Sequence, residues 1–514
     1  MLNNKLTVAF LSFTLLLSGQ TMSTGPQKRL PDRSMGQLLL RLENYVQKSM
    51  DKTGVPGAAV AVVYQDQVVY LKGFGVRKDG SRAPVDENTV FQLASLSKPI
   101  ASTVVASLVG THAVQWDDRI ADLDPEFALS SRTVTEQLTI RDLLSHRSGL
   151  PTLSGDILED LSFTRPTVLH QMRLLPLPGT FRTTYKYSNF GYTEGCIAAA
   201  KAAERKWEDL AEERLFKPLE MKSTSYRYSD YKSAKNKATI HVLIDGKAVT
   251  RYQRDPDAEA PAGAASSTAK DLAQWLRLQL AEGMWNGEQV VDPAALRETH
   301  TPQIVTGIDH NTGGNSYYGL GWNVNFTSDK KRILSHSGAF FLGAATAVRL
   351  LPSDQLGIVV ITNALPTGLA EAVTSTFFDW FQYGEARQDW LTLYNGLFRE
   401  MIESGNNDST DYSKLSPPTS PSPSAPLSAL AGKYHNDYYG EIEFTKVGET
   451  LWMRLPANGA LFTLAHWDQD KFTYRFEAES GIGTRGVVFS PGGAPHVLIE
   501  NLALEGDGVF LREH

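Results

Sequence analysis

The pattern of apolar and polar positions divides the chain into three stretches of different character. Leu38 to Lys52 (LLLRLENYVQKSMDK) repeats its apolar residues at helical spacing, and Val55-Pro-Gly57 breaks the repeat. Two runs rich in β-branched residues follow, AAVAVVY (58–64) and QVVYLKGFGV (67–76), joined by the polar pair Gln65-Asp66; they predict a hairpin. Mixed helix and loop signals then continue to about residue 300. Strand signals return in YYGLGWNV (317–324), RILSHSG (332–338), AATAVRLLP (344–352) and LGIVVITNA (356–364). Helix, hairpin, helical middle and late strands predict one antiparallel sheet covered by helices.

Two helical stretches, roughly 368–383 and 388–404, lead into KLSPPTSPSPSA (414–425). Proline and serine at that density cannot build a core, so this reads as a spacer. Beyond it come eight short β-runs separated by turn residues: AGKYHN, GEIEFTKV, TLWMRL, LFTLAHW, KFTYRF, RGVVFS, HVLIENL and GVFLRE. Eight such runs in under a hundred residues predict a small up-and-down barrel or sandwich. The expected layout is a main domain over 30–385, helix and linker over 386–426, and a β-barrel over 427–514.

Composition narrows the class. A length of 514 residues favours more than one domain, and 42% hydrophobic with 21% charged residues describes a globular chain. The formal charge of −7, with Lys and Arg scattered, gives no footprint for nucleic acid. Near the N-terminus Lys5 precedes a short apolar run, Leu6 to Leu17, and then small and polar residues. This is the layout of a secretory signal over 1–25, which places the protein in the periplasm or outside the cell with no stable membrane insertion after cleavage. Leu17-Ser-Gly-Gln20 has Gln where a lipid-bearing cysteine would stand. The single cysteine, Cys196, allows no intramolecular disulfide and reads as a buried structural thiol.

FQLASLSKPI (91–100) places a lysine and two serines in a largely apolar run. On a helix starting near Ser95, residues three apart share a face, so Lys98 neighbours Ser95 and not Ser97. A serine hydroxyl needs a base to become a nucleophile, and a buried amine can be that base. Pro99 lacks the amide that would bond the Ser95 carbonyl, so the helix must start irregularly or become regular only beyond Pro99. No metal-ligand spacing such as H-E-x-x-H and no G-x-S-x-G elbow occurs, and neither metal nor organic cofactor is called for.

Four more segments follow in order: LTIRDLLSHRSGLP (138–151), PGTFRTTYKYSNFGY (178–192), APAGAASSTAKDLAQWL (260–276) and HSGAFFLG (336–343). With S-x-x-K they resemble the serine β-lactamase and penicillin-binding-protein superfamily, in its class C-like branch of D-aminopeptidases, DD-peptidases and esterases. The resemblance covers about residues 35 to 385. It implies an α+β fold, with an antiparallel sheet flanked by helices, a helical domain beside it and the cleft between them. It maps Ser95 to the nucleophile, Lys98 to its base, Tyr187 to a proton relay and Asn189 to a residue holding Lys98 and the substrate amide. His336-Ser337-Gly338 maps to the third motif, and the backbone of Ser95 and Ala339 to the oxyanion hole. Gly338 suits a close backbone approach to ligand. His146 and Ser148 read as loop-shaping residues.

His336 stands where the β-lactamases of this family usually carry lysine, and it is expected to be partly charged near neutrality. Together with the barrel, H-x-G favours a hydrolase of D-amino-acid-containing peptides, working through a serine acyl-enzyme. A class C-like β-lactamase, a carboxylesterase and a slowly deacylating penicillin-binding sensor are the alternatives. The substrate expected is thus a small peptide, ester or β-lactam.

Overall fold

The computed structural model describes residues 34–309, 312–405, 410–455 and 457–513. The expected export signal lies outside the described residues. Helix α1 (Met35–Thr53) buries Leu38, Leu42, Val46 and Met50 at four-residue intervals, and Gly54 ends it in a left-handed conformation (φ 73°). Strands β1 (Gly57–Tyr64) and β2 (Gln67–Gly75) form the expected hairpin. Gln65 and Asp66 both have positive φ (50° and 59°), the twist a two-residue hairpin turn requires.

Six later strands complete the sheet: β3 (Ile304–Ile308), β4 (Asn315–Tyr318), β5 (Asn323–Phe326), β6 (Arg332–Phe340), β7 (Ala344–Leu351) and β8 (Leu356–Thr362). Their order is β2-β1-β8-β7-β6-β5-β4-β3, antiparallel throughout. The run 317–324, expected as one strand, is two: the chain turns through Gly321 (φ 83°), where a Cβ would meet the Tyr192 hydroxyl at 2.6 Å. Strand β3 carries too few apolar residues in alternation to stand out.

Residues of β1 and β8 are buried on both faces, which is why they read as unbroken apolar runs. On one side α1 packs with a later helix, Leu369–Tyr383, against β7 and β8; on the other lies Ala269–Leu280. The helical lobe, including Ser97–Gly110 and Asn189–Ala202, adds its core to that second side. Cys196 is fully buried there as a free thiol, as its sequence context suggested.

The last eight strands close an up-and-down antiparallel barrel between Gly432 and Arg512. The Pro/Ser-rich run before it has no regular element from Leu415 to Pro426. It is nevertheless laid against the barrel, because Ser422 N and Ala425 N each donate to a barrel-loop carboxylate, Asp468 and Asp470, at 2.7 Å.

Candidate active site

The segment before the lobe's first long helix makes a sharp bend. Ala94, buried and without glycine's freedom, sits at φ 49°, and Ala94–Leu96 forms a 3-10 turn. Helix α2 (Ser97–Gly110) begins directly after it, with Pro99 in its first turn where no intrahelical amide is needed. Strain of this kind persists only where surrounding structure enforces it. Here the bend presents Ser95 at the mouth of the lobe while burying its neighbours.

Lys98 Nζ is fully buried and lies 3.1 Å from Ser95 Oγ, 2.7 Å from Asn189 Oδ1 and 3.1 Å from the Ala262 carbonyl. Burial lowers its pKa to about 8, against the pull of Glu259 and Asp156. A neutral amine has two N–H bonds and one lone pair. Asn189 and Ala262 can take both N–H bonds, which leaves the lone pair for the Ser95 hydroxyl. Tyr187 O–H donates to Ser95 Oγ at 2.9 Å. Burial pushes the Tyr187 phenol well above its usual range, so it is un-ionised in the resting site.

Ser97, the other serine of the opening run, is structural. Its hydroxyl donates to the Ala94 carbonyl (2.6 Å) and accepts from Ala265 N (2.9 Å), tying the bend to the 260–265 segment. His146 shapes its loop: its backbone has φ 57°, its Nδ1 accepts from Ser188 N (3.2 Å), and its ring lies 4.4 Å from that of Tyr187. Ser148 does the same on a smaller scale, accepting from Leu150 N at 3.4 Å.

Strand β6 runs beside the bend. His336 and Gly338 face it and are buried, but two expectations for this motif change. His336 is not partly charged: burial, then Lys98, lowers its pKa to about 3. Its Nδ1–H donates to the Ser337 carbonyl (2.7 Å), and its Nε2 accepts from Tyr318 O–H (2.9 Å), so both ring nitrogens are occupied within the protein. Strand alternation turns the Ser337 side chain to the opposite face, where it lines a cavity beside Glu371. The backbone of the bend already requires Gly338: a Cβ would lie 2.2 Å from the Leu93 carbonyl oxygen and 2.9 Å from Leu96 N. Ala339 follows in the same strand, opposite Ala345.

Residues without a sequence signal complete the site. Asn189 Nδ2 donates to Asp156 Oδ2 (2.9 Å), which fixes the amide so that its oxygen faces Lys98. Burial, then Glu259 and Glu159, holds the Asp156 carboxyl well above the usual range. The barrel reaches the same region. Glu505 accepts from Gly155 N and, at 2.9 Å, from Ile157 N, on either side of Asp156. Glu479 accepts from Phe341 N and, at 3.2 Å, from Leu342 N, just past β6.

A buried serine–lysine–tyrosine cluster at a helix N-terminus, against an antiparallel sheet, defines a serine hydrolase. The chain belongs to the β-lactamase family, whose model matches residues 42–376. A second model, described as a domain of unknown function (DUF3471), matches 416–497. The chain is 26% identical over 513 residues to the unguisins hydrolase ungD of Aspergillus violaceofuscus, covering 91% of this chain and 88% of that one. It is 29% identical over 417 residues to ungD' of Aspergillus campestris, with coverages of 77% and 74%. The octameric penicillin-binding protein homologue from Pyrococcus abyssi shares the fold: TM-score 0.59 and 18% identity, covering 92% of this chain and 100% of that one.

Proposed function

We propose that the protein hydrolyses an amide bond in a peptide containing D-amino acids, through an acyl-enzyme on Ser95. The observation that carries this reading is His336. Where an anion-binding site would need a fixed positive charge, this strand presents a buried, neutral imidazole with both nitrogens engaged. The groups around Lys98 are carboxyls, Glu259 and Asp156. A strand with no fixed cation offers no anchor for the carboxylate of a β-lactam and suits a neutral acyl donor.

In the first step Ser95 Oγ attacks the acyl carbonyl while its proton passes to Lys98. The N–H groups of Ser95 and Ala339 stabilise the oxyanion. The C–N bond then breaks as the leaving amine takes a proton from Tyr187, and Lys98, which holds the former serine proton beside the Tyr187 ring, returns a proton to the phenolate. Water reverses the sequence and releases the acid. Proton transfer of this kind contributes about 10² to 10⁴ in rate. The fungal relatives are named as hydrolases of unguisins, which supports turnover over a stalled acyl-enzyme.

Steady-state cleavage of D-alanine p-nitroanilide, its L-enantiomer, a short-chain p-nitrophenyl ester and nitrocefin, each against Ser95→Ala, tests the reading. Serine-dependent preference for the D-anilide is the expected result. Hydrolysis of the ester or nitrocefin with no anilide cleavage would contradict it.

A further inference from the structure

A series of short contacts joins the barrel to the catalytic lysine. Lys98 Nζ donates to Asn189 Oδ1 at 2.7 Å, and Asn189 Nδ2 donates to Asp156 Oδ2 at 2.9 Å. Asp156 opens a one-turn helix, Asp156–Asp160, whose first amides have no intrahelical carbonyl to bond. Glu505 supplies acceptors from the barrel: its two carboxylate oxygens take the N–H groups of Gly155 and Ile157, one on each side of Asp156.

Both ends of this contact are held by their own domains. In the barrel, the buried Tyr438 donates its O–H to Glu505 Oε1 at 2.6 Å, and the adjacent Tyr439 O–H donates to the Leu502 carbonyl at 2.7 Å. In the catalytic domain, the start of the turn is tied to the motif that carries Tyr187 and Asn189. Leu153 N donates to the Tyr187 carbonyl at 2.8 Å, and the Ser154 and Ser188 hydroxyls lie 2.8 Å apart. The far side of the turn, Gly155 and Ile157, takes its amide partners from Glu505.

We propose that Glu505 is a positioning residue for the hydrolytic reaction, a part of the barrel that fixes Asp156 and, through it, the Asn189 amide against Lys98. Without the Glu505 carboxylate two amides lose their acceptor and turn toward water, and Asp156 moves with them. Asn189 is then free to rotate. Lys98 loses the oxygen that takes one of its N–H bonds, so its lone pair is no longer held toward Ser95. The inference rests on the acyl-enzyme reading of Ser95 and Lys98, and it is independent of which acyl donor is cleaved.

The test is the second-order rate of Ser95 labelling by a fluorophosphonate in the full chain, measured on folded protein for Glu505→Ala, Asp156→Ala and the double variant. Each single change should slow labelling about tenfold or more, as for a misplaced catalytic group. The double variant should be no slower than Asp156→Ala, because both act through one contact. Gln171→Ala is the control for docking. Gln171 Nε2 donates to the Asp437 and Tyr438 carbonyls, both at 2.9 Å, and so holds the barrel to the lobe without touching the 153–157 turn. It should leave the rate nearly unchanged. Should Glu505→Ala not fold, Glu505→Gln, which keeps the shape and one acceptor, must show a smaller slowing with the same lack of additivity. An unchanged rate in Glu505→Ala, losses that multiply in the double variant, or equal slowing by Gln171→Ala would overturn the proposal. A chain that is not labelled at Ser95 at all would overturn the acyl-enzyme reading and this role with it.

Discussion

Lys98 can serve as a base only in the fraction of molecules where it is neutral. Its pKa is lowered from 10.5 to about 8 by burial, which corresponds to roughly 3 kcal/mol against the charged form. The kcat/KM profile should therefore rise with pH through about 8, with no inflection from His336 near neutrality because that ring stays neutral above about 3. A profile governed by a group near pH 6.5 would contradict the assignment. Asp156 acts one residue further out, as a positioning group. Asp156→Ala leaves Asn189 Nδ2 without its partner and lets the amide turn, so kcat should fall about tenfold or more. Asp156→Asn keeps an acceptor and should restore most of the rate; failure of that rescue would argue for a different role. Ser95 and Lys98 were legible from their three-residue spacing, and Tyr187 and Asn189 only through the resemblance to the family's motif. Asp156 was not, since a carboxyl 33 positions from its partner leaves no mark in a single sequence. The sequence reading also gave His336 a partial charge near neutrality; the burial that neutralises it depends on Tyr318 and the packed lobe.

At the scale of elements, the site depends on how closely β6 approaches the bend at 93–96. Gly338 sets that distance. Gly338→Ala forces the strand away from the Leu93 carbonyl and should cost about 1–3 kcal/mol as overpacking, with a larger fractional loss of activity than of folded protein. A melting curve with parallel rate measurements checks this; full activity in a stably folded variant would show that the spacing is not critical. Most strands announced themselves through β-branched runs, and all eight barrel strands fell close to the expected segments. The exception at 317–324 is instructive. The run is apolar and aromatic throughout, but Gly321 must pack against the Tyr192 hydroxyl and the Lys98 carbonyl, a tertiary demand that overrides strand propensity. The positive φ of Ala94 was equally invisible, because alanine gives no signal of the strain that the fold imposes on it.

For the molecule as a whole, the barrel acts as a clamp on the catalytic domain. Glu505 holds the segment that carries Asp156, and Glu479 holds the chain just past β6, so the barrel touches two walls of the site. Burial raises both carboxyls to about 7. A raised acid favours the folded state at low pH, and this contribution is lost as pH climbs from the unfolded value near 4.5 through about 7. It amounts to about 3 kcal/mol for each group. Tm should therefore carry a falling component between pH 5 and 7.5, and Glu505→Gln should flatten it; an unchanged slope would mean that this contact does not titrate. The barrel itself was readable from alternation and turns. Its docking was not, because two glutamates in loops give no hint of the backbone amides they will meet.

The most direct test of the account is where a serine-directed phosphonylating probe becomes attached. Intact-mass analysis and peptide mapping after reaction with a fluorophosphonate should show a single adduct on Ser95. Ser95→Ala should abolish labelling with little change in Tm. Ser97→Ala should still be labelled while losing about 1–3 kcal/mol of stability from two buried hydrogen bonds. An adduct that persists in Ser95→Ala, or one that maps to another residue, would contradict the central claim.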